Sequence, residues 1–146
     1  MSAKNSVNAV AVRRFSADPE RVYEAWLKPE MLERWMFGPQ VREEEIVHLA
    51  VDPRVGGSFS FMVERKGETI EHLGKYLEME RPTRLAFSWI IAGSPVGSRV
   101  KVEIDVEPPG CELTVTHELH PSWAEHVGEM EASWRRLLDG LARAIE

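Results

Sequence analysis

The sequence predicts an α+β domain in which an antiparallel sheet of about seven strands packs against one long C-terminal helix. Three observations support this prediction. Apolar and polar residues alternate over most of the segment from about Val41 to Leu119, which is typical of half-buried strands. Two short helical patterns precede this segment, and an apolar stripe at helical spacing follows it. Because no repeat or linker divides the 146 residues, we expect one domain over residues 1–146.

The N-terminal part is predicted to form one strand and two short helices. Apolar residues alternate between positions 10 and 15, and Asp18 then provides a helix N-cap before Pro19. A second helix is expected to start at Pro29 and to end at Gly38. The residues expected on the inner faces of the two helices are Val22, Ala25, Trp26, Met31, Leu32 and Trp35.

The alternation of period two assigns faces to the six strands that follow. In the first of them, the residues expected on one face are Val47, Leu49 and Val51. In the third, His72, Gly74, Tyr76 and Glu78 share one side, and Leu73, Lys75, Leu77 and Met79 share the other. The outward apolar residues of this strand could pack on the short helices or on a second subunit, so a homodimer is one expectation.

The C-terminal helix is predicted to cover about 24 residues, or about 36 Å. Ser122 and Glu125 have the spacing of a capping box and would begin it. The apolar stripe on one of its faces consists of Trp123, Val127, Met130, Trp134, Leu137, Leu141 and Ile145. A single helix of this length can cross the whole sheet and cover the space beneath it.

Composition excludes several classes of partner. The net charge is −6, and the basic pairs are isolated, which disfavours binding to nucleic acid. No stretch approaches the roughly 20 apolar residues that span a bilayer, and the N-terminal segment lacks the apolar core of a signal peptide. Cys111 is the only cysteine, so no intrachain disulfide can form. We therefore expect a cytoplasmic protein.

Four runs of the sequence carry a family resemblance. They are RRFSADPERVYEAWLKPEMLERWMFGP, VDPRVGGSFSF, HLGKYLEMERPTRLAFSW and LTVTHELHPSWAEHVGEMEASWRRLLDGLA. Together they resemble the C-terminal-type domain of the family named for the activator of heat-shock protein 90 ATPase, in the START-like, helix-grip superfamily. The resemblance covers essentially the whole chain. One departure is that the family usually has two tryptophans before Gly-Pro, whereas this chain reads Trp35-Met36-Phe37-Gly38-Pro39.

The resemblance implies a curved sheet that grips the C-terminal helix, with a hydrophobic cavity between them. Such a pocket is mostly apolar with a few polar groups. Met130 and Trp134 are expected to roof the cavity, whereas Leu141 and Ile145 are expected in ordinary core. The candidate ligand-binding residues are Trp35, Phe37, Phe59, Phe61, His72, Tyr76, Phe87, Trp89, Val115, His117, Met130 and Trp134. The alternative is that this aromatic stripe is a plain, filled core.

Two histidines and a tyrosine are the polar candidates in that interior. His72 and Tyr76 lie four residues apart on one strand face, and His117 shares a face with Val115. These groups could hydrogen-bond a ligand oxygen. They could instead bond to one another, to Glu78 or to buried water, and a register shift of one residue would point all of them outward.

Catalytic and metal-binding motifs are sparse. The sequence contains no nucleophile elbow, phosphate-binding loop, dinucleotide fingerprint or H-E-x-x-H pair. His117 and His120 have a spacing found in some metal sites, but residues three apart on a strand face opposite sides. We therefore expect no metal and no cofactor. The acidic run Glu43–Glu45 is expected to be solvated.

Three functions are consistent with these observations. The leading one is non-catalytic binding of a small hydrophobic molecule in the cavity. The second is a chaperone-linked module of the stress response, as the family name suggests, although the activators for which the family is named carry an additional N-terminal domain. The third is a cyclase-like or hydrolase-like enzyme that uses His72, Tyr76 and His117 as acids and bases.

Overall fold

The computed structural model describes residues 7–146. The prediction that the N-terminal segment is not a signal peptide concerns residues from Met1 onward, so it lies partly outside the described residues. The elements in chain order are β1 (Val7–Phe15), α1 (Pro19–Glu24), α2 (Pro29–Trp35), β2 (Glu45–Val51), β3 (Ser58–Arg65), β4 (Glu68–Glu80), β5 (Arg84–Ile91), β6 (Ser98–Glu107), β7 (Gly110–Leu119), a 3-10 helix (Pro121–His126) and α3 (Val127–Ile145).

The seven strands form one sheet in the order β1-β7-β6-β5-β4-β3-β2. Strands β2 to β7 follow one another as an antiparallel meander, and β1 returns to pair with β7 from Val7 opposite Leu119 to Phe15 opposite Cys111. The predicted fold class is confirmed, with two short helices after β1 and one helix at the C-terminus.

The two short helices begin at the residues that the sequence indicates. The Asp18 carboxylate accepts a hydrogen bond from the backbone N–H of Arg21 at 2.9 Å and caps α1, with Pro19 in its first turn. The indole N–H of Trp35 donates to the Ala25 carbonyl at 2.9 Å, which ties the end of α2 back to the end of α1. The pair of helices is therefore a fixed hairpin over the sheet.

The C-terminal helix is shorter than the sequence predicts. The capping-box prediction was wrong, because the imidazole of His120 accepts the backbone N–H of Ser122 at 3.1 Å and begins a 3-10 helix instead. The α-helix follows with 19 residues, about 28 Å long. Trp123 is 41 % exposed and does not belong to the core. The buried residues of α3 are Trp134, Leu138, Leu141, Ala142 and Ile145, of which Leu138 and Ala142 were absent from the predicted stripe.

Helix α3 also covers the edge of the sheet. The Glu131 carboxylate accepts the backbone N–H of Val10 at 2.9 Å, and Asp139 pairs with Arg13 at 2.8 Å. Both partners lie on β1, which is an edge strand with unpaired backbone groups. One face of the helix therefore covers part of this edge, and another face packs on the core.

Two β-bulges change the faces that the alternation predicted. One lies between Ile46 and His48, and it leaves Val47 53 % exposed, contrary to the prediction. The other lies between Tyr76 and Glu78, and it turns Met79 from the predicted outer face onto the core. One extra residue reverses every following side chain in a strand, so a strict period of two fails beyond each bulge.

Gly74 determines how tightly β3 and β4 pack on their inner face. It lies opposite Phe59 in the register, and a Cβ atom there would stand 2.3 Å from Cζ of that ring and 2.0 Å from the Ser88 carbonyl oxygen. Only glycine lets the phenyl ring lie across the neighbouring strand. The aromatic interior described next depends on this contact.

Candidate ligand site

The space between the sheet and the helices is filled by aromatic rings. Phe59 is at the centre of the sheet's contribution, because four other rings lie with centroids 4.7 to 5.7 Å from its own. Those rings belong to Phe61, Tyr76, Phe87 and Trp89. The distances are those of offset and tilted aromatic pairs, which stabilise beyond simple burial.

A small void lies within this cluster. Its volume is about 10 Å³, and its lining residues are Trp26, Leu32, Met36, Phe59, Phe61, Tyr76, Phe87 and Trp89. This volume corresponds to room for about one water molecule, whereas small-molecule pockets measure roughly 300 to 1,000 Å³. The interior is therefore closed in this structure, and the void is far smaller than the cavity that the resemblance implies.

The structure brings only some of the candidate residues to the void. Those that line it are Phe59, Phe61, Tyr76, Phe87 and Trp89. The candidates placed elsewhere are Trp35, Phe37, His72, Val115, His117, Met130 and Trp134. Trp26, Leu32 and Met36 line it from the helical side and were not among the candidates. Helical periodicity placed Trp26 and Leu32 on inner faces, but it carries no information on what those faces meet.

Three rings pack together next to the void: Trp89, which lines it, and Phe37 and His72, which lie against Trp89. Of the eight lining residues only Trp89 is not fully buried. Phe37 lies nearly parallel to it, with an interplanar angle of 10° and centroids 6.4 Å apart. The His72 ring lies 5.0 Å from Phe37 and 5.2 Å from Trp89. A molecule that reached the void from this side would have to displace Trp89 or Phe37.

The segment that carries Phe37 is fixed by a buried carboxylate. Glu44 accepts the backbone N–H of Gly38 at 2.7 Å, and it pairs with Arg65 at 2.8 Å and Arg42 at 3.3 Å. Its side chain is 0 % exposed, so the expectation that Glu43–Glu45 is solvated was wrong at this position. A buried carboxylate is stable only with such partners.

His117 is held by hydrogen bonds on both ring nitrogens. The indole N–H of Trp134 donates to Nδ1 at 3.2 Å, and Nε2 lies 2.8 Å from the Ser98 hydroxyl. Indole can only donate, so Nδ1 is the acceptor and the proton of the neutral ring is on Nε2. The Ser98 hydroxyl lies 3.1 Å from the Trp89 carbonyl and donates to it. Burial lowers the pKa of His117 to about 4.

The other two polar candidates differ from each other. His72 Nδ1 lies 3.1 Å from the Phe61 carbonyl oxygen and donates to it, and burial lowers the pKa of this imidazole. Tyr76 lines the void, and burial raises the pKa of its phenol, so the hydroxyl stays protonated. Only one of the three groups therefore faces the common space. An acid–base pair acting on one bound molecule is not assembled here.

Two buried side-chain polar atoms have no hydrogen-bond partner among residues 7–146. They are the indole nitrogen of Trp26 and the hydroxyl of Tyr23. Trp26 is 3 % exposed and lines the void. A buried N–H without an acceptor costs roughly 1–3 kcal/mol, and such atoms are rare in folded proteins. Trp26 is therefore the lining residue that carries a buried, unsatisfied donor.

Metal-binding clusters and membrane-spanning helices are both absent from residues 7–146. Residues 7–146 contain no cluster of three or more histidine, cysteine or carboxylate side chains placed to hold a metal ion. Within that range no helix combines the length and the apolar character that crossing a membrane requires.

The sheet, the helical hairpin and the C-terminal helix around an aromatic interior define a helix-grip domain. A family described as Activator of Hsp90 ATPase homolog 1-like protein matches residues 16–146. The chain therefore belongs to this family.

Solved structures show the same fold. A protein from Chromobacterium violaceum is 24 % identical with a TM-score of 0.79, covering 98 % of both chains. An AHSA1-like protein from Aeromonas hydrophila is 24 % identical with a TM-score of 0.77, covering 95 % of this chain and 92 % of that one. A protein of unknown function from Staphylococcus aureus is 17 % identical with a TM-score of 0.81, covering 96 % and 93 %. No match was found among curated proteins.

The buried state of His117 predicts a pH dependence of stability. Its pKa is about 4 when folded and 6.5 as the ordinary value, so below pH 6.5 the unfolded chain takes up the proton first. The stabilisation is complete above pH 6.5 and is lost as the pH falls from 6.5 towards 4. We expect this residue to lower the free energy of unfolding by about 2 kcal/mol between pH 7 and pH 5.

Denaturant unfolding at the two pH values measures this effect. Between pH 7 and pH 5, the free energy of unfolding of His117→Phe should fall by about 2 kcal/mol less than that of the wild type. His48→Gln, at an exposed position on β2, should keep the wild-type difference. An unchanged pH dependence in His117→Phe would show that His117 is not held neutral.

Glu44 and its neighbour Glu43 are expected to differ in how much their carboxylates contribute to the free energy of unfolding. Glu44→Gln leaves Arg42 and Arg65 without their shared anion and should lower the free energy of unfolding by about 2 kcal/mol. Glu43→Gln changes an exposed side chain and should stay within about 0.5 kcal/mol of the wild type. Chemical denaturation measures both variants, and equal effects would contradict the role given to Glu44.

Proposed function

We propose that this protein binds a small apolar molecule in the interior between the sheet and the helices. The observation that carries this proposal is the void at the centre of the aromatic cluster, which is lined by Trp26, whose indole N–H is buried and has no partner among residues 7–146. An interior that served only as core gains nothing from an unsatisfied donor. A ligand with an acceptor at this point would remove that cost.

The volume of the void implies that the site opens when it is filled. About 10 Å³ cannot hold an organic molecule, so rings must move outward on binding. Trp89 is the best placed to move, because it is the lining residue that already reaches solvent. Phe37 is constrained by the contact of its neighbour Gly38 with Glu44. We infer that the closed form is the resting state and that the ligand selects an open one.

The chemistry of the lining defines the ligand class. The surrounding side chains are aromatic or aliphatic, and the polar groups they carry are the Tyr76 hydroxyl and the indole N–H groups of Trp26 and Trp89. Of these, the indole N–H of Trp26 is buried without a partner. Trp26 can only donate, so the matching group is an acceptor oxygen such as a carbonyl or an ether. The proposed ligand is therefore a compact apolar molecule, about the size of one ring, with one acceptor.

The family description supports a second candidate function. An activator of a chaperone ATPase acts on another protein, so this domain would be a chaperone-linked interaction module. Stimulation of a purified chaperone ATPase by this chain tests that candidate. We also propose a cytoplasmic location, since the one cysteine is buried and free.

Two matched probes test the ligand proposal. Acetophenone and cumene are similar in size, but only acetophenone has a carbonyl. We expect acetophenone to bind about tenfold more tightly, which is the value of one hydrogen bond to a buried donor. Titration monitored by the indole N–H signals of ¹⁵N-labelled protein measures both affinities. The Trp26 signal, assigned with Trp26→Phe, should move downfield with acetophenone.

Variants provide the controls for this titration. Trp89→Leu removes the ring that closes the void and should tighten binding of both probes, whereas Trp26→Phe should abolish the preference for acetophenone. The indole signal of Trp123, which is 41 % exposed, should not move. Shifts confined to Trp123, or no saturable shift of any indole, would contradict an interior site.

A further inference from the structure

A basic groove lies on the outside of the domain, away from the aromatic void. Its volume is about 920 Å³, and it is formed by α2, the segment that follows α2, and the outer face of α3. Four arginines line it, namely Arg34, Arg42, Arg136 and Arg143. This concentration of positive charge occurs on a chain whose net charge is −6. The charge of the groove is therefore opposite to that of the protein as a whole.

Most of this positive charge has no counter-charge within the protein. No carboxylate among residues 7–146 lies within 4.0 Å of the guanidinium groups of Arg34, Arg136 or Arg143. Asp139 is the acidic residue of the lining, and it is already paired with Arg13 at 2.8 Å. The three arginines are exposed and are free to meet a ligand.

The fourth arginine stands in a fixed position at the side of the groove. Arg42 contacts Glu44 at 3.3 Å and the Met36 carbonyl at 3.1 Å, and Arg65 shares the same carboxylate. Two guanidinium groups thus face one carboxylate, which leaves one positive charge in excess. Burial lowers the pKa of Arg42, and the charges of Arg65 and Arg136 lower it further. Arg42 and Arg136 line the same groove.

The spacing on α3 directs two of the arginines into one groove. Arg136 and Arg143 are seven residues apart, which places them two turns apart on the same face of the helix. Arg34 approaches from α2 on the other side. Guanidinium groups bind phosphoryl and carboxylate oxygens through two parallel hydrogen bonds. Arginines that converge from two sides suit an anion with more than one acidic group.

We propose that this groove binds a small, soluble polyanion that carries at least two phosphoryl or carboxylate groups. The volume of the groove lies in the range of small-molecule sites. A concave groove between a helix and a loop favours a compact molecule over a flat membrane surface. The acidic remainder of the protein repels an extended nucleic acid. This proposal is independent of the interior site, because no residue lines both spaces. Trp35 lines the groove, and its neighbour Met36 lines the void.

Calorimetric titration with inorganic pyrophosphate tests the proposal on the whole chain. We expect saturable binding of one pyrophosphate per protein at about 25 mM salt, weakening as salt is raised to about 200 mM. A parallel titration with citrate distinguishes the acid groups: tighter pyrophosphate binding assigns a phosphoryl ligand, and tighter citrate binding assigns a carboxylate ligand. Saturable binding of either supports the proposal.

Two adjacent arginines provide a matched pair of variants. Arg136→Gln removes a groove arginine and should weaken binding at least about tenfold. Arg135→Gln changes the net charge equally at an exposed position outside the groove lining and should weaken binding less than about twofold. Thermal unfolding confirms that both variants are folded, which their exposed positions lead us to expect.

Three results would overturn the proposal. The first is the absence of saturable binding of both anions at low salt. The second is an equal loss in Arg135→Gln and Arg136→Gln, because that would reflect net charge alone. The third is binding to vesicles of anionic phospholipid that saturating pyrophosphate does not compete away, which would assign the groove to a membrane surface.

Discussion

The rest of the domain depends on the packing contacts of the Trp26 indole ring. Its centroid lies 4.7 Å from Trp35 on α2, 5.8 Å from Trp134 on α3 and 6.4 Å from Phe87 on the sheet. One side chain at the end of α1 thereby joins the hairpin, the C-terminal helix and the sheet. The same ring borders the void and carries the unpartnered N–H. Trp26 thus both holds the elements of the fold together and provides the donor of the proposed site.

Local signals explain which parts of the fold were predictable. Asp18 and Pro19 determine the start of α1 through contacts within four residues, so sequence alone is sufficient there. The partners of Glu44 include Arg65, and a pairing across 21 residues has no local signature within a run of three glutamates. The bulges in β2 and β4 interrupt the alternation at positions that local composition does not mark.

The candidate site was less predictable than the fold. The alternation placed Phe59, Phe61 and Tyr76 on one inner face, and they do meet around a common space. The volume of that space depends on the side-chain rotamers and on rings from α1 and α2, which no strand pattern reports. His117 was a candidate because of its face, yet Trp134 and Ser98 already occupy both of its nitrogens. Together these contacts make it a buried structural bridge between α3 and the sheet.

The closed aromatic interior is proposed to open and to hold a ligand against Trp26. A crystal structure of the protein soaked with acetophenone tests it most directly. We expect density for the acetophenone ring among Phe59, Phe87 and a displaced Trp89, with the carbonyl oxygen about 2.9 Å from the indole nitrogen of Trp26. An unchanged, closed interior at a concentration of acetophenone that saturates the protein in solution would contradict it.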